Sequence, residues 1–286
     1  PLCIAAALGH ASIVSYLAKR GADFQHGSPL PLIQALDAQH WKVAELCISL
    51  GADVNALQDG VVTPLCMSII SIPAATWLLE HGADPNFRHE KITPFAMAKV
   101  FRNPAAAEAL VKAGADQQLN DQEQILADAA DGIDTTGRYV DPSKLPDEYR
   151  NILRSILHLP DTFEHIKRLI AVGMEWDRPD NQGITPVQIA GWEGLPDMMG
   201  YFLKLRPDLS HVNGYGGTLL STIMHGSENS PNREARDHIA CARLALEHGV
   251  ALPRDVIDFA GRADMSAFLR DWAEEKPGQV IEREDG

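Results

Sequence analysis

The residues of this chain that could ligate a metal or act as nucleophiles are its four cysteines and eleven histidines, and their spacing argues against both uses. A zinc site takes thiolates or imidazoles in pairs a few residues apart, so that four ligands converge on one ion. Cys3, Cys47, Cys66 and Cys241 contain no such pair, and Cys3 and Cys66 fall at equivalent places of a recurring pattern, which makes them packing residues. In the densest local group, His158, Glu164 and His165, the last two are neighbours in sequence and so face different directions on a helix. That group reads as a solvated helix face. His10 and His40 each follow a break between two helical patterns and are read as structural. Gly214-Tyr215-Gly216-Gly217 has the glycine density of a phosphate cradle, but no Lys-Ser/Thr follows it, so it is expected to be a turn. With no nucleophile, base or metal constellation in the sequence, the expectation is a non-enzyme with no metal and no cofactor.

The framework carrying these residues is repetitive. Gly21-Ala22-Asp23, Gly51-Ala52-Asp53, Gly82-Ala83-Asp84 and Gly114-Ala115-Asp116 stand roughly 30 residues apart, each closing an apolar helical pattern. Self-similarity at such a period means units that bury their apolar faces only by stacking. Within a unit, Leu2-Cys3-Ile4-Ala5-Ala6-Ala7-Leu8 places small alanines where two helices approach closely, and Gly9-His10 breaks the helix. Ile13, Val14, Tyr16 and Leu17 then recur at helical spacing up to Gly21, which suits the left-handed residue that ends a helix. Two short antiparallel helices and a turn follow. Thr63-Pro64-Leu65, Thr93-Pro94-Phe95 and Thr185-Pro186-Val187 open later copies, with Thr as cap and Pro preset for the first helical turn.

These motifs resemble the ankyrin repeat, whose signature is T-P-L-H-x-A-A followed by G-H and G-A-D-x-N. The resemblance is good over residues 1–116, where Asn55 and Asn86 complete G-A-D-x-N, returns at Asp180-Asn181-Gln182-Gly183-Ile184-Thr185-Pro186, and weakens from Thr218-Leu219-Leu220-Ser221 onward. Arg206-Pro207-Asp208 stands where a further G-A-D would be. What the resemblance implies is an all-α, ankyrin-repeat solenoid of about seven to eight helix pairs with irregular insertions, a single domain over residues 1–276 whose hairpin fingers mostly lack ladder hydrogen bonds. One departure is systematic, because the motif histidine is replaced by Cys3, Ile33, Cys66, Ala96, Gln188 and Ser221 in successive copies. The hydrogen bond that histidine makes to neighbouring loops is therefore expected to be missing, and the stacking to be irregular.

Two stretches break the period. The interval from Gly114 to Gly173 is nearly two units long and contains a turn-rich run from Asp131 to Pro142. Either one repeat carries an insertion, expected at 131–146, or a degenerate repeat sits in between; insertions in repeat proteins map to loops, which favours the first. A second insertion is expected over 226–236, where Gly226-Ser227-Glu228-Asn229-Ser230-Pro231-Asn232 reads as a polar loop. Val256, Ile257 and Phe259, then Met265, Phe268, Leu269 and Trp272, make two amphipathic helices able to close the last apolar face, and 277–286 is expected to be a disordered tail. The chain starts inside a motif at Pro1, so upstream residues are expected.

The net charge is −14, with a pI of about 5.1. Repulsion from phosphate makes nucleic acid or an anionic membrane an unfavourable partner, and no run approaches the roughly 18 apolar residues of a membrane span. The expected setting is cytoplasmic, with secretion as an effector left open, and the chain is expected to be a monomer when unbound. A repeat array presents surface before chemistry, so the expected function is a protein-protein interaction scaffold whose partner is basic. An inhibitor or immunity protein is a special case of it; a recognition arm of a larger enzyme or secreted effector is the alternative. The resemblance implies binding through hairpin tips and solvent-facing ends of first helices. Carried over by position, the tips give His26, Asp59, His89, Glu90, Asn181, Gln182 and Tyr215, and the helix ends give Asp37, Phe101, Trp192, Glu193 and His225.

Overall fold

Every Gly-Ala-Asp turn closes its helix through the glycine. In the structure, a computed structural model that describes residues 1–27, 29–57, 62–87, 92–258 and 261–282, Gly21, Gly51, Gly82 and Gly114 have φ of 82°, 106°, 88° and 89°. The following alanine N–H then reaches back to a carbonyl of the preceding helix, as in Ala52 N to Cys47 O at 2.9 Å and Ala83 N to Leu78 O at 2.9 Å. This is the bond that satisfies orphan carbonyls at a helix end. The aspartates build the turn itself: Asp53 and Asp84 each accept the backbone N–H two residues on, at 2.8 Å.

The chain divides into two compact units, Pro1–Tyr149 and Arg150–Gly286. The first contains the helix pairs α1 (Leu2–Ala7) with α2 (Ala11–Lys19), α3 (Pro31–Asp37) with α4 (Trp41–Ser49), α5 (Pro64–Met67) with α6 (Ile72–Glu80), and α7 (Pro94–Val100) with α8 (Pro104–Lys112). First helices pack on first helices, α1 on α3 and α5 on α7, and second helices on second helices, α2 on α4 and α6 on α8. Alanines permit the close approach: Ala6, Ala35, Ala44, Ala74 and Ala96 are fully buried beside Val14, Ile33, Leu36, Leu78 and Leu110. Thr63 and Thr93 cap α5 and α7 by accepting the N–H of Cys66 and Ala96. Val62 and Ile92 are each in an isolated bridge.

A further helix, α9 (Asp121–Asp131), packs on α7 in the register of a next first helix. Its second helix is replaced by the segment 132–149. The Asp141 N–H donates to Gln122 Oε1 at 2.7 Å, Arg138 pairs with Asp128 at 2.5 Å, and the Tyr149 hydroxyl donates to the buried Glu123 carboxylate at 3.0 Å. The 131–146 insertion is thus the returning half of an irregular unit rather than an outward loop, because α9 would otherwise leave an apolar flank open. Glu123 serves twice, since its other oxygen accepts the Asn120 N–H in a capping box.

The chain passes through the short α10 (Asp147–Arg150) into the second unit, which contains α11 (Ile152–Ile156), α12 (Phe163–Ala171), α13 (Pro186–Trp192), α14 (Pro196–Lys204), α15 (Leu219–Asn229) and α16 (His238–Glu247). Here α13 pairs with α14 and α15 with α16, while α13 packs on α15 and α14 on α16. Arg206 has φ of 63° at the place of the missing glycine. The expected 226–236 loop is corrected at its start: α15 runs through Asn229, with Gly226 and Ser227 buried, and only Ser230–Asp237 connects. His165 is also corrected, from a solvated face to complete burial in α12. The unit closes with α17 (Arg254–Asp258) and α18 (Ala263–Glu275), which bury Ile257, Met265, Leu269 and Trp272.

Residues 277–282 are not the start of a disordered tail. The strand β1 (Leu252–Pro253) pairs in parallel with β2 (Val280–Ile281), and Gln279 accepts from Trp272 Nε1 at 2.8 Å while donating to the Leu246 carbonyl at 2.9 Å. A low apolar content was outweighed by one amide that satisfies two buried groups. Among the described residues no helix is long and apolar enough to cross a membrane.

Gly9 and Gly194, both at positive φ, stand where a Cβ would strike the ring of a histidine in the following helix pair, His40 at 2.9 Å and His238 at 2.7 Å. At Gly21 (φ +82°) an added Cβ meets nothing within 4 Å. Gly21→Ala should therefore lower stability by about 1 kcal/mol, the backbone cost alone, and Gly194→Ala by at least about 2 kcal/mol because ring and backbone must also separate. Urea denaturation followed by circular dichroism reads the difference; equal losses would show that the His238 contact is not tight.

Candidate functional site

Three of the expected contact residues, distant in sequence, line one groove of the second unit. Its walls come from α13 and α15, which approach each other at two glycines. A Cβ at Gly191 would lie 2.6 Å from the Ile223 side chain, and one at Gly226 would collide with the backbone carbonyl of Trp192. That approach brings Trp192, the last residue of α13, against His225 of α15, with ring centroids 5.0 Å apart and planes inclined by 48°.

The floor and lip come from the turn 213–217. Buried Asn213 organises it, its Oδ1 accepting the N–H groups of Tyr215 at 3.0 Å and Gly217 at 2.9 Å. Gly214 N–H donates to the Gln182 carbonyl at 2.6 Å, an approach that leaves no room for a side chain at 214. Tyr215 stands on this frame with 75% of its surface exposed. Together with Ile184, Ile189 and Thr222, the three rings enclose a half-open groove of about 690 Å³, within the roughly 300–1,000 Å³ of ligand-binding clefts.

The polar groups of the groove divide into satisfied and available ones. Ser221 and Thr222 hydroxyls both donate to the Thr218 carbonyl, at 3.1 and 2.8 Å. Asn229 donates to His225 Nδ1 at 3.1 Å, which leaves the ring proton on Nε2. The Trp192 indole N–H and the Tyr215 hydroxyl have no hydrogen bond among the described residues. Gln188 corrects the expected loss of the loop bond. Where the motif would place histidine, its Oε1 accepts the Thr185 N–H at 3.1 Å and its Nε2 donates to the Gly217 carbonyl of the next turn at 3.1 Å.

Asn181 and Gln182 are exposed in the turn before α13, where the Gln182 backbone rather than its side chain supports the groove. Glu193 follows Trp192, is half-buried, and has one carboxylate oxygen, Oε2, shielded from water with no hydrogen-bond partner. In the first unit, His26 is held at 2.8 Å by Asp23, whose carboxyl lies below the usual range chiefly because it accepts the Gln25 N–H. Asp37 ends α3, and loss of surrounding water raises its pKa. Phe101 is half-buried at the end of α7. Asp59, His89 and Glu90 lie outside the described residues. Position in the repeat missed Ile184, Ile189 and Asn213, which line the groove.

Burial pushes the thiols of Cys47 and Cys66 up to about 11 and that of Cys241 up to about 12, so they are protonated and unreactive near neutrality. His238, at the start of α16, donates from Nε2 to the Trp192 carbonyl at 2.9 Å and thereby holds the end of the groove. Its pKa is lowered, first by burial, from the ordinary 6.5. The unfolded chain then binds a proton more readily than the folded one, so this residue contributes stability above pH 6.5 that is lost as pH falls through 6.5 toward the lower folded value. Thermal melts between pH 7.5 and 5 should show a smaller drop in midpoint for His238→Gln than for the parent, and equal drops would remove His238 from the acid response.

No protein-family model matches the chain, and no curated protein matches it either.

Proposed function

We propose that this chain is a non-catalytic, protein-binding scaffold of the ankyrin-repeat type, and that the groove of α13, α15 and the turn 213–217 is its contact surface in the second unit. The observation that carries the reading is the convergence of Trp192, Tyr215 and His225 on one cleft. Aromatic groups left partly open to water are the anchors that interfaces use, because they bury large area at small entropic cost. The repeat period, the left-handed glycines and the braced turns support the ankyrin-like architecture. The charge of −14 supports a basic partner.

The test is affinity capture from the native host, with the captured protein identified by mass spectrometry and its binding measured directly. Trp192→Ala combined with Glu193→Lys should weaken binding by at least about 2 kcal/mol, a hot-spot magnitude, with helicity unchanged. Raising ionic strength should slow association far more than dissociation if opposite charge steers encounter. Unchanged affinity in the double variant would place the interface elsewhere, and an association rate indifferent to salt would remove the basic partner.

A further inference from the structure

The chemistry of the groove narrows what it binds. Its apolar lining, Ile184, Ile189 and the faces of Trp192 and Tyr215, excludes a segment made only of polar side chains. Its acceptors are largely engaged: Asn213 Oδ1 holds two backbone N–H groups, and the Gly217 carbonyl accepts from Gln188. Its available hydrogen-bonding groups are donors or can act as donors, namely the Trp192 indole N–H, the His225 Nε2–H and the Tyr215 hydroxyl. A groove offering donors beside apolar walls matches main-chain carbonyls, the acceptors that an extended segment presents in a row.

Charge then separates possible segments. Across 180–193 and 207–229, which contain α13, α15 and the turns leading into them, the charged residues are Asp180, Glu193, Asp208 and Glu228, with no Lys or Arg. The Ser210 hydroxyl, which donates to Asp208 at 2.6 Å, is the chief cause that lowers the pKa of that carboxyl. Asp180 is partly compensated by Arg154 at 3.6 Å, and Glu228 accepts the Gly261 N–H at 2.9 Å. A cleft whose lining carries no Lys, Arg, Asp or Glu, in a chain of net charge −14, disfavours an acidic segment and favours one that carries Lys or Arg beside its apolar anchor.

We infer that the groove takes an extended stretch of a partner protein in which a bulky apolar side chain enters between Trp192 and Tyr215, backbone carbonyls accept from the groove donors, and a flanking Lys or Arg answers the net negative charge of the chain. This rests on the protein-binding reading above and specifies the ligand of that surface. The probe is a phage-displayed library of random 12-residue peptides, selected on the full chain and counter-selected on Trp192→Ala and, separately, on Tyr215→Ala. The second variant alters only an exposed side chain and guards against misfolding of the first. Sequences that are lost on both variants should pair a large apolar residue with Lys or Arg within a few positions. Synthetic copies of them should bind at least tenfold more weakly to Tyr215→Ala, and about three- to tenfold more weakly to His225→Phe, which keeps the ring and removes one donor. Variant-sensitive sequences that are acidic, or polar throughout, would overturn the inference while leaving a binding groove in place. If neither variant changes any enriched sequence, both the inference and the groove as a binding surface fail.

Discussion

In the first unit, a side-chain amide fixes the distance from each turn to the next. Asn86 Oδ1 accepts the Asp116 N–H at 2.6 Å and its Nδ2 donates to the Gly114 carbonyl at 3.0 Å, so one residue satisfies a donor and an acceptor that the next helix end leaves unpaired. Asn55 accepts the Asp84 N–H at 2.9 Å in the same way, and Gln25 donates to the Gly51 carbonyl at 3.2 Å. A carboxylate at these places could accept but not donate, and an apolar residue could do neither. With turn spacing fixed by hydrogen bonds, short helices that would not persist in isolation are held where Ala6, Ala35 and Ala96 can interlock.

The second unit meets the same requirement with other atoms. His211 Nε2 lies 2.6 Å from the Gly183 carbonyl, Gly214 donates to Gln182, and Gln188 reaches Gly217. None of these residues occupies the Asn position of Gly-Ala-Asp-x-Asn, yet each bridges successive turns. The groove follows from this change of brace. Because Asn213 folds its own turn instead of reaching to a neighbour, Tyr215 is lifted clear of the surface, and because Gly226 admits the Trp192 carbonyl, the indole is brought to His225 rather than away from it.

The helices were legible because their signals are local. A Thr-Pro start and a glycine stop act within one turn of chain, and α7 from Pro94 to Val100 lies where those marks put it. The division of labour in 117–149 was not legible: Gln122, Asp128 and Glu123 look like ordinary surface residues of a helix, and only the return of 132–149 makes them partners of Asp141, Arg138 and Tyr149. The extension of α15 was hidden for a related reason. Gly226-Ser227 carries loop composition, but a glycine is needed there by the neighbouring backbone of Trp192, so tertiary contact overrode local preference. For the groove, repeat register supplied Trp192, Tyr215 and His225 from sequence, whereas their apolar neighbours Ile184 and Ile189 carry no local signal and are brought there by the packing of α13 on α15.

How firmly the groove is built bears on the binding proposed for it. Trp192 is fixed from three sides, by the His225 ring, by Gly226 against its carbonyl, and by His238 donating to that carbonyl. The turn beneath Tyr215 is closed by Asn213 and by the bond between Gly214 and Gln182, so little backbone freedom is left to lose. A surface ordered before contact spends less of its interaction energy on ordering itself. In the proposed binding mode, selectivity would come from fit: a mismatched segment could not be accommodated by loosening α13 from α15, since the two glycines leave no slack between them, and would instead leave one of the groove's donors unpaired.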